Sequence, residues 1–224
     1  MKLLKLFVVV IAGLALPAIS SRAQLSLDFS ATTNATIQFN GSSSSFQFNS
    51  NGGGNQWVVT SENGGSSAVG LFGLVNNGPF SYGSITSGTL FGNTVQSANV
   101  TGSPGALIIQ DGTGFNLTGN VNWETIQTFD YSGAINAMLT VNVTDLSYAG
   151  SNPDLQTLVA ESPASLDVTF QFSPGMMLND LTSGTGPYMT SFSGSLSVVP
   201  EPTTAGCLLL GLGALVCARR FKKR

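Results

Sequence analysis

Between Gln24 and Val199 the side chains able to do acid–base chemistry are almost all carboxylates: Asp28, Glu62, Asp111, Glu124, Asp130, Asp145, Asp154, Glu161, Asp167 and Asp180. No Lys, Arg, His or Cys accompanies them. A serine therefore has no histidine to activate it, no cysteine can attack a substrate, and no lysine can form a Schiff base or hold a phosphate. Zinc sites built from His and Cys are excluded in the same way. Two carboxyl groups alone suffice for a glycosidase, and Glu62, Glu124, Glu161 and Asp130 are the candidates. Nothing in their spacing marks a pair, and the reading favoured is a non-enzymatic one with no catalytic residue and no cofactor.

Two weaker chemistries remain. Trp57 and Trp123, with Tyr82, Tyr131, Tyr148 and Tyr188, have faces on which a sugar ring could stack, although both tryptophans lie in apolar strand patterns and read more readily as core. Asp111 with Asn116, and Asn152 with Asp154, offer oxygen ligands of the kind calcium takes, but Asx-Gly and Asx-Pro steps are also ordinary turn chemistry, and no metal is expected. Sequons at Asn34, Asn40, Asn99, Asn116 and Asn142 follow from a body rich in Asn and Thr.

The charges are segregated. Of the eight Lys and Arg in the chain, three precede Gln24 (Lys2, Lys5, Arg22) and five follow Ala218. The net charge of −3 therefore conceals a purely acidic body. Such a surface cannot neutralise phosphates, so nucleic acid is excluded as a partner, as is a basic patch for anionic lipid. Trypsin, even acting on denatured protein, should leave one large fragment, 23–219, visible as a single band on a denaturing gel; several smaller bands would contradict it.

The elements that must position the carboxylates are strands. Apolar residues recur at every second position in Leu25, Leu27, Phe29; Ile37, Phe39; Phe46, Phe48; Ile135 to Val143; Leu166 to Phe172; and Tyr188 to Val198. Side chains alternate between faces in a strand, so each run has one face on a core and one in water. Turn signals separate them: "NGGGN" at 51–55, "ENGG" at 62–65, "NNGP" at 76–79, "GSPG" at 102–105, "DGTG" at 111–114 and "GSNPD" at 150–154. The pattern predicts one all-β domain over 24–198, an antiparallel β-sandwich or jelly-roll-like domain, with a helical turn only around Leu155 to Ser162.

The two ends differ from the body. "MKLLKLFVVVIAGLALPAISSRAQ" has a basic start, an apolar run and small residues at Ser21 and Ala23, which predicts a signal peptide over 1–23 cut between Ala23 and Gln24. Export through a translocon follows. Cys207 and Cys217 lie in the carboxy-terminal apolar run, leaving the exported body without a disulfide. That run, with Thr203 and Thr204, predicts a marginal single transmembrane helix over 203–218. Arg219, Arg220, Lys222, Lys223 and Arg224 would hold the terminus on the cytoplasmic side as a stop-transfer signal.

The segment 199–224, "VPEPTTAGCLLLGLGALVCARRFKKR", resembles the PEP-CTERM sorting signal of exopolysaccharide-producing Gram-negative bacteria. Pro200, Glu201 and Pro202 match the motif, the apolar run matches its helix, and the basic end matches its terminus. The resemblance covers this tail only. It implies recognition by an exosortase at Pro200, Glu201 and Pro202, passage through or retention in the inner membrane, and delivery to the envelope or extracellular matrix. There the family places structural or adhesive roles in biofilm and exopolysaccharide organisation. Two prolines bar helix and remove backbone donors, keeping the motif extended for a protease. A permanent single-pass anchor uses the same parts without processing. A carbohydrate-binding module and a carboxylate-only glycosidase are the other readings of the body.

Overall fold

The computed structural model describes residues 24–76, 78–102, 104–131 and 134–198. Their alternating apolar residues become fourteen antiparallel strands: β1 Ser26–Ala31, β2 Thr36–Phe39, β3 Ser45–Asn49, β4 Trp57–Asn63, β5 Phe72–Asn76, β6 Phe80–Tyr82, β7 Thr86–Leu90, β8 Asn93–Thr101, β9 Gly105–Gln110, β10 Asn116–Tyr131, β11 Ala134–Ser147, β12 Ala164–Phe170, β13 Tyr188–Thr190 and β14 Phe192–Val198. Two short helices join them, α1 Pro153–Ala160 and α2 Leu178–Ser183.

The all-β expectation holds, but the strands do not stack as an open sandwich. Pairing runs β11-β12-β14-β1-β4-β5-β9-β10, and β10 pairs again with β11, so these strands close into an antiparallel barrel. Closure leaves the ring no unpaired edge, which two separate sheets would each have twice. Sequence alternation is the same for either arrangement, because it reports which face is buried and not which strand lies beside which.

The remaining strands continue from the barrel wall. β10 is long enough to serve both parts: Asn116 to Val121 pair with β9, and Thr125 to Phe129 pair with β8. A register shift between Trp123 and Thr125 separates the halves. Beyond β8 the outer layer runs β6-β3-β2-β13, with β7 attached to β8 alone.

Leu27, Phe29, Val59, Leu107, Ile109, Leu117, Val121, Leu139, Val141, Leu166, Val168 and Leu196 fill the barrel side of the core and are nearly or wholly inaccessible. Phe39, Phe46, Phe80, Phe170 and Phe172 carry it under the outer layer, with ring centroids 5.0 to 6.0 Å apart along the chain of contacts. Such tilted and edge-on pairs add to the area they bury. Apolar side chains point inward and hydroxyls and amides outward, the reverse of a barrel that faces lipid. Among the described residues no helix is long and apolar enough to cross a membrane; the expected span, 203–218, lies outside them.

Close packing fixes particular glycines. A Cβ at Gly194 in β14 would lie 2.0 Å from the carbonyl oxygen of Asp167 and 2.6 Å from the Phe29 ring. At Gly73 a Cβ would lie 2.0 Å from the indole of Trp57, which rests on that bare backbone. Gln56, only 5% exposed, crosses between strands: its amide donates to the carbonyls of Val75 at 3.1 Å and Phe48 at 3.2 Å, and accepts from the Val75 amide at 2.7 Å. Gln56→Leu should therefore cost about 2–3 kcal/mol, since it orphans buried backbone groups; a urea midpoint equal to wild type would contradict this.

Candidate functional site

Three loops meet at one end of the barrel, and carboxylates join them. The end of β4 supplies Glu62 and the loop after it Ser66 and Ser67, the β9–β10 turn supplies Asp111, and the segment from β11 into α1 supplies Tyr148, Asn152 and Asp154. Glu62 stands level with Leu27 at the start of β1. Val198 lies against Leu25 through an amide-to-carbonyl bond of 3.2 Å. Both ends of the described body therefore leave from this side.

Asn152, Pro153 and Asp154 were expected as a turn, and they begin a helix. Asn152 caps α1, its side-chain oxygen accepting from the amides of Asp154 and Leu155 at 3.1 Å each. Pro153 occupies the first turn, where a missing N–H does no harm, and Asp154 complements the helix dipole. Leu155 and Leu158, both wholly buried, seat the helix on the barrel end.

Asp154, 6% exposed, is the hub. Its Oδ2 accepts from the Ser67 amide at 2.6 Å, the Ser67 hydroxyl at 2.7 Å and the Ser66 amide at 3.1 Å. Glu62 shares a hydrogen bond with it and accepts from the Ala68 amide at 2.8 Å. Two facing carboxyls hold one proton more comfortably than two charges. Burial, with Asp154 opposite, raises Glu62 above its ordinary value against the pull of the Ala68 amide. In Asp154 burial acts in the same direction, but the Ser67 hydroxyl, the two serine amides and Glu62 outweigh it and lower its pKa. Of the two, Glu62 binds a proton more readily.

The network continues sideways. The Asn152 amide donates to the Tyr148 hydroxyl at 3.0 Å, and that hydroxyl donates to Oδ2 of Asp111 at 2.7 Å. Asp111 also accepts from the amides of Thr113 and Phe115 at 2.7 and 3.1 Å and from the Thr113 hydroxyl at 2.8 Å. Desolvation opposes its charge, yet these donors, Tyr148 foremost, lower it to about 2. Tyr148 is shifted upward by burial and by the neighbouring Asp111. Glycines close the cluster: a Cβ on Gly65 would fall 2.5 Å from Asp154 Oδ1, and one on Gly150 2.7 Å from Asp111 Oδ2.

Such an arrangement ties the three loops to one another. Asp154 Oδ2, Glu62 Oε2 and both Asp111 oxygens each accept from a donor of the chain itself. Asp154 was a calcium candidate and Glu62 a catalytic one; the structure brings these two together. The catalytic set as a whole does not assemble: Glu124 accepts from Asn142 on the exposed wall, Asp130 is exposed near the far end of β10, and Glu161 ends α1. Asp111 and Asn116 do not converge either, because the Asp111 oxygens are taken by Thr113, Phe115 and Tyr148. Among the described residues no three acidic side chains are grouped to hold a metal.

The aromatic candidates are mostly interior. Trp57 is 2% exposed and packs on Phe29 at 4.6 Å, so no sugar reaches it. Trp123 is partly buried, stacked on Phe48 at 5.7 Å and edge-on to Phe46 at 5.5 Å; its indole N–H has no hydrogen-bond partner among the described residues. Tyr82 is buried with its hydroxyl 2.8 Å from that of Thr182, and Tyr188 is half-buried. The side chain of Tyr131 lies outside the described residues, as do Ala23, the Pro200–Glu201–Pro202 motif and the basic end Arg219, Arg220, Lys222, Lys223 and Arg224.

What the sequence pattern did not single out is the outward face of β10, β11, β12, β14 and β1. Register aligns Asn122, Asn142, Ser165, Ser197, Ser26 and Asn63 in one row. A second row holds Asp167, Ser195, Asp28 and Ser61, and a third Thr169, Ser193 and Ser30. Beside the third row an open cleft of about 350 Å³ is lined by Gln171, Thr190 and Ser191, with Phe170 and Phe192 at its base. Alternation alone says these positions face water; only the strand order shows that they form a continuous polar wall, mostly hydroxyls and amides with Asp28 and Asp167 among them. Comparison of the chain with protein-family models, with curated proteins and with solved structures finds no match in any of the three.

Proposed function

We propose that the chain is an exported, non-enzymatic protein of the cell envelope or extracellular matrix, with a structural or adhesive role in exopolysaccharide organisation. The observation that carries the body's role is the wall of hydroxyls and amides across β10, β11, β12, β14 and β1, with Asp28, Glu124 and Asp167 set among them. Rows of short polar side chains on a barrel wall match the hydroxyls of a neutral or anionic-poor polysaccharide, and the carboxylates on the same wall discourage polyanions. The Glu62–Asp154 pair supports the non-enzymatic part, because Asp154 Oδ2 is engaged by Ser66 and Ser67 and Glu62 Oε2 by Ala68.

Delivery rests on the sequence of the two ends. A signal peptide over 1–23 leads the body through the translocon, and the tail 199–224 halts it in the inner membrane, where an exosortase acts at Pro200, Glu201 and Pro202. Since Gln24 and Val198 leave from one side of the barrel, the loop network faces the membrane before processing. The test is sedimentation of the protein with exopolysaccharide from its producing host, alongside a hydrolysis assay on the same material. Co-sedimentation lost on Ser165→Glu/Ser197→Glu, with no sugar released, is the expected result. Sugar release that Glu62→Gln abolishes would restore the glycosidase.

A second reading, a carbohydrate-binding module, is favoured by the cleft beside Thr169 and Ser193. There a defined oligosaccharide would bind to Thr190 and Gln171, and the tryptophans would play no part.

A further inference from the structure

We propose that the β7 edge is a self-association surface, on which two copies of this chain pair antiparallel about a two-fold axis at Gly88. Among the described residues β7 pairs with β8 and no other strand, and all five of its residues are exposed. The hairpin turns in two residues, Phe91 and Gly92, both with positive φ (50° and 83°), as a tight hairpin requires. Glycine adopts that conformation freely, whereas phenylalanine does so at a steric cost. The ring is nevertheless kept there with 86% of its surface exposed, beside Leu90 at 45%.

The two-residue turn fixes which backbone groups are free. Leu90 pairs with Asn93, Gly88 with Val95 and Thr86 with Ser97; in the alternating antiparallel pattern these residues direct N–H and C=O toward β8, so Ser87 and Thr89 direct theirs outward. A second β7 laid antiparallel satisfies them reciprocally, Ser87 to Thr89 and Thr89 to Ser87. Gly88 then meets Gly88 at the closer, non-bonded position, where a Cβ meets nothing within 4 Å in the single chain. The same register sets Phe91 opposite Ile85 of the other copy. There a cleft of about 300 Å³, lined by Gly83, Ser84, Thr86, Ser97, Asn99 and Thr101, has room for a phenyl ring.

Charge selects the occupant. From Asn63 to Gln110 the chain has no charged residue, so no ion pair recruits a foreign partner to this edge. Elsewhere the body carries carboxylates without cations, and two copies repel. At β7 they do not, and the edge lacks the Lys, Pro or bulge that usually blocks sheet extension. The pairing is independent of the polysaccharide reading.

The test is sedimentation velocity of the purified full chain, with Cys207→Ser and Cys217→Ser in all versions. A concentration-dependent dimer is expected, weakened about tenfold or more by Ser87→Pro, which removes an outward donor from an edge that tolerates proline, and by Phe91→Ser. In the same background Gly88→Cys should oxidise to a covalent dimer, its paired Cα atoms standing about 4.5 Å apart, and Thr60→Cys on the exposed wall should not. A monomer at all concentrations, a dimer indifferent to both Ser87→Pro and Phe91→Ser, or equal crosslinking by the two cysteines would overturn the proposal. The crosslinking arm decides the matter even if Ser87→Pro fails to fold.

Discussion

Gly194→Ala is expected to lower stability by about 3 kcal/mol or more, enough to take away a large part of a small domain's margin. β14 lies between β1 and β12, paired along its whole length with β12 and from Ser193 to Ser197 with β1. A methyl there meets the Asp167 carbonyl at 2.0 Å on one side and Phe29 at 2.6 Å on the other. Backbone cannot swing aside as the tip of a long side chain can, so β12 must shift and break its pairing. Gly83→Ala is the control, since its Cβ would make only an ordinary contact of 3.8 Å with Asn99. Urea unfolding of the two variants measures the difference; equal midpoints would show that the β12–β14–β1 packing is looser than described.

The second large effect separates two acids that face each other. Asp154→Asn should cost about 2–4 kcal/mol near neutral pH, because the serine donors lose a buried charge and an amide presents N–H groups to them. Glu62→Gln should cost less there, since glutamine keeps an oxygen for the Ala68 amide and removes the carboxylate that faces Asp154. The pH dependence follows from the two opposite shifts. Asp154 has a lowered folded pKa, so its contribution is present above its unfolded value of 3.8 and fades as pH falls through the lower folded one. Glu62 has a raised folded pKa, so its contribution is complete below 4.5 and fades as pH rises through the higher folded value. Wild-type stability from this pair is therefore greatest near about pH 4, and Glu62→Gln should flatten the decline on the alkaline side. A Glu62→Gln variant as damaged as Asp154→Asn at neutral pH would contradict this ordering of the two acids.

These two cases also mark how far the residues alone could be read. Strands β1, β2, β3, β11, β12 and β14 were legible, because one face of each is buried and their apolar residues alternate without a break. β7 was not, since nothing on it is buried and its Thr-Ser-Gly-Thr sequence resembles a loop. α2 was missed because six residues show too little of a helical period. Its start is set instead by Asp180, which accepts from the Met177 amide at 2.8 Å, and by the Leu178 amide donating to Thr128 at 3.1 Å. Closure of the barrel depends on β10 and β11 pairing while their other edges serve β9, β8 and β12, which is a matter of strand order.

The site was legible only in its parts. Glu62 and Asp154 each stood out as oxygen-bearing residues, but they are 92 positions apart and nothing local links them. Asn152-Pro153-Asp154 has the composition of a turn and also of a helix start; the apolar Leu155 and Leu158 that follow were the available signal for the second. Tyr148, weighed as a sugar-stacking ring, acts through its hydroxyl. The polar wall shows in no single strand, because a row such as Ser26, Ser197 and Ser165 comes from three distant segments.

The central claim is that this body is exported and that its tail is a processed address. Intact-mass analysis of the protein recovered from the envelope and the medium of its host tests it most directly. The account predicts a chain beginning at Gln24 and ending near Pro202 in the medium or matrix. A chain that begins at Met1, or one that ends at Arg224 in every fraction, would contradict it.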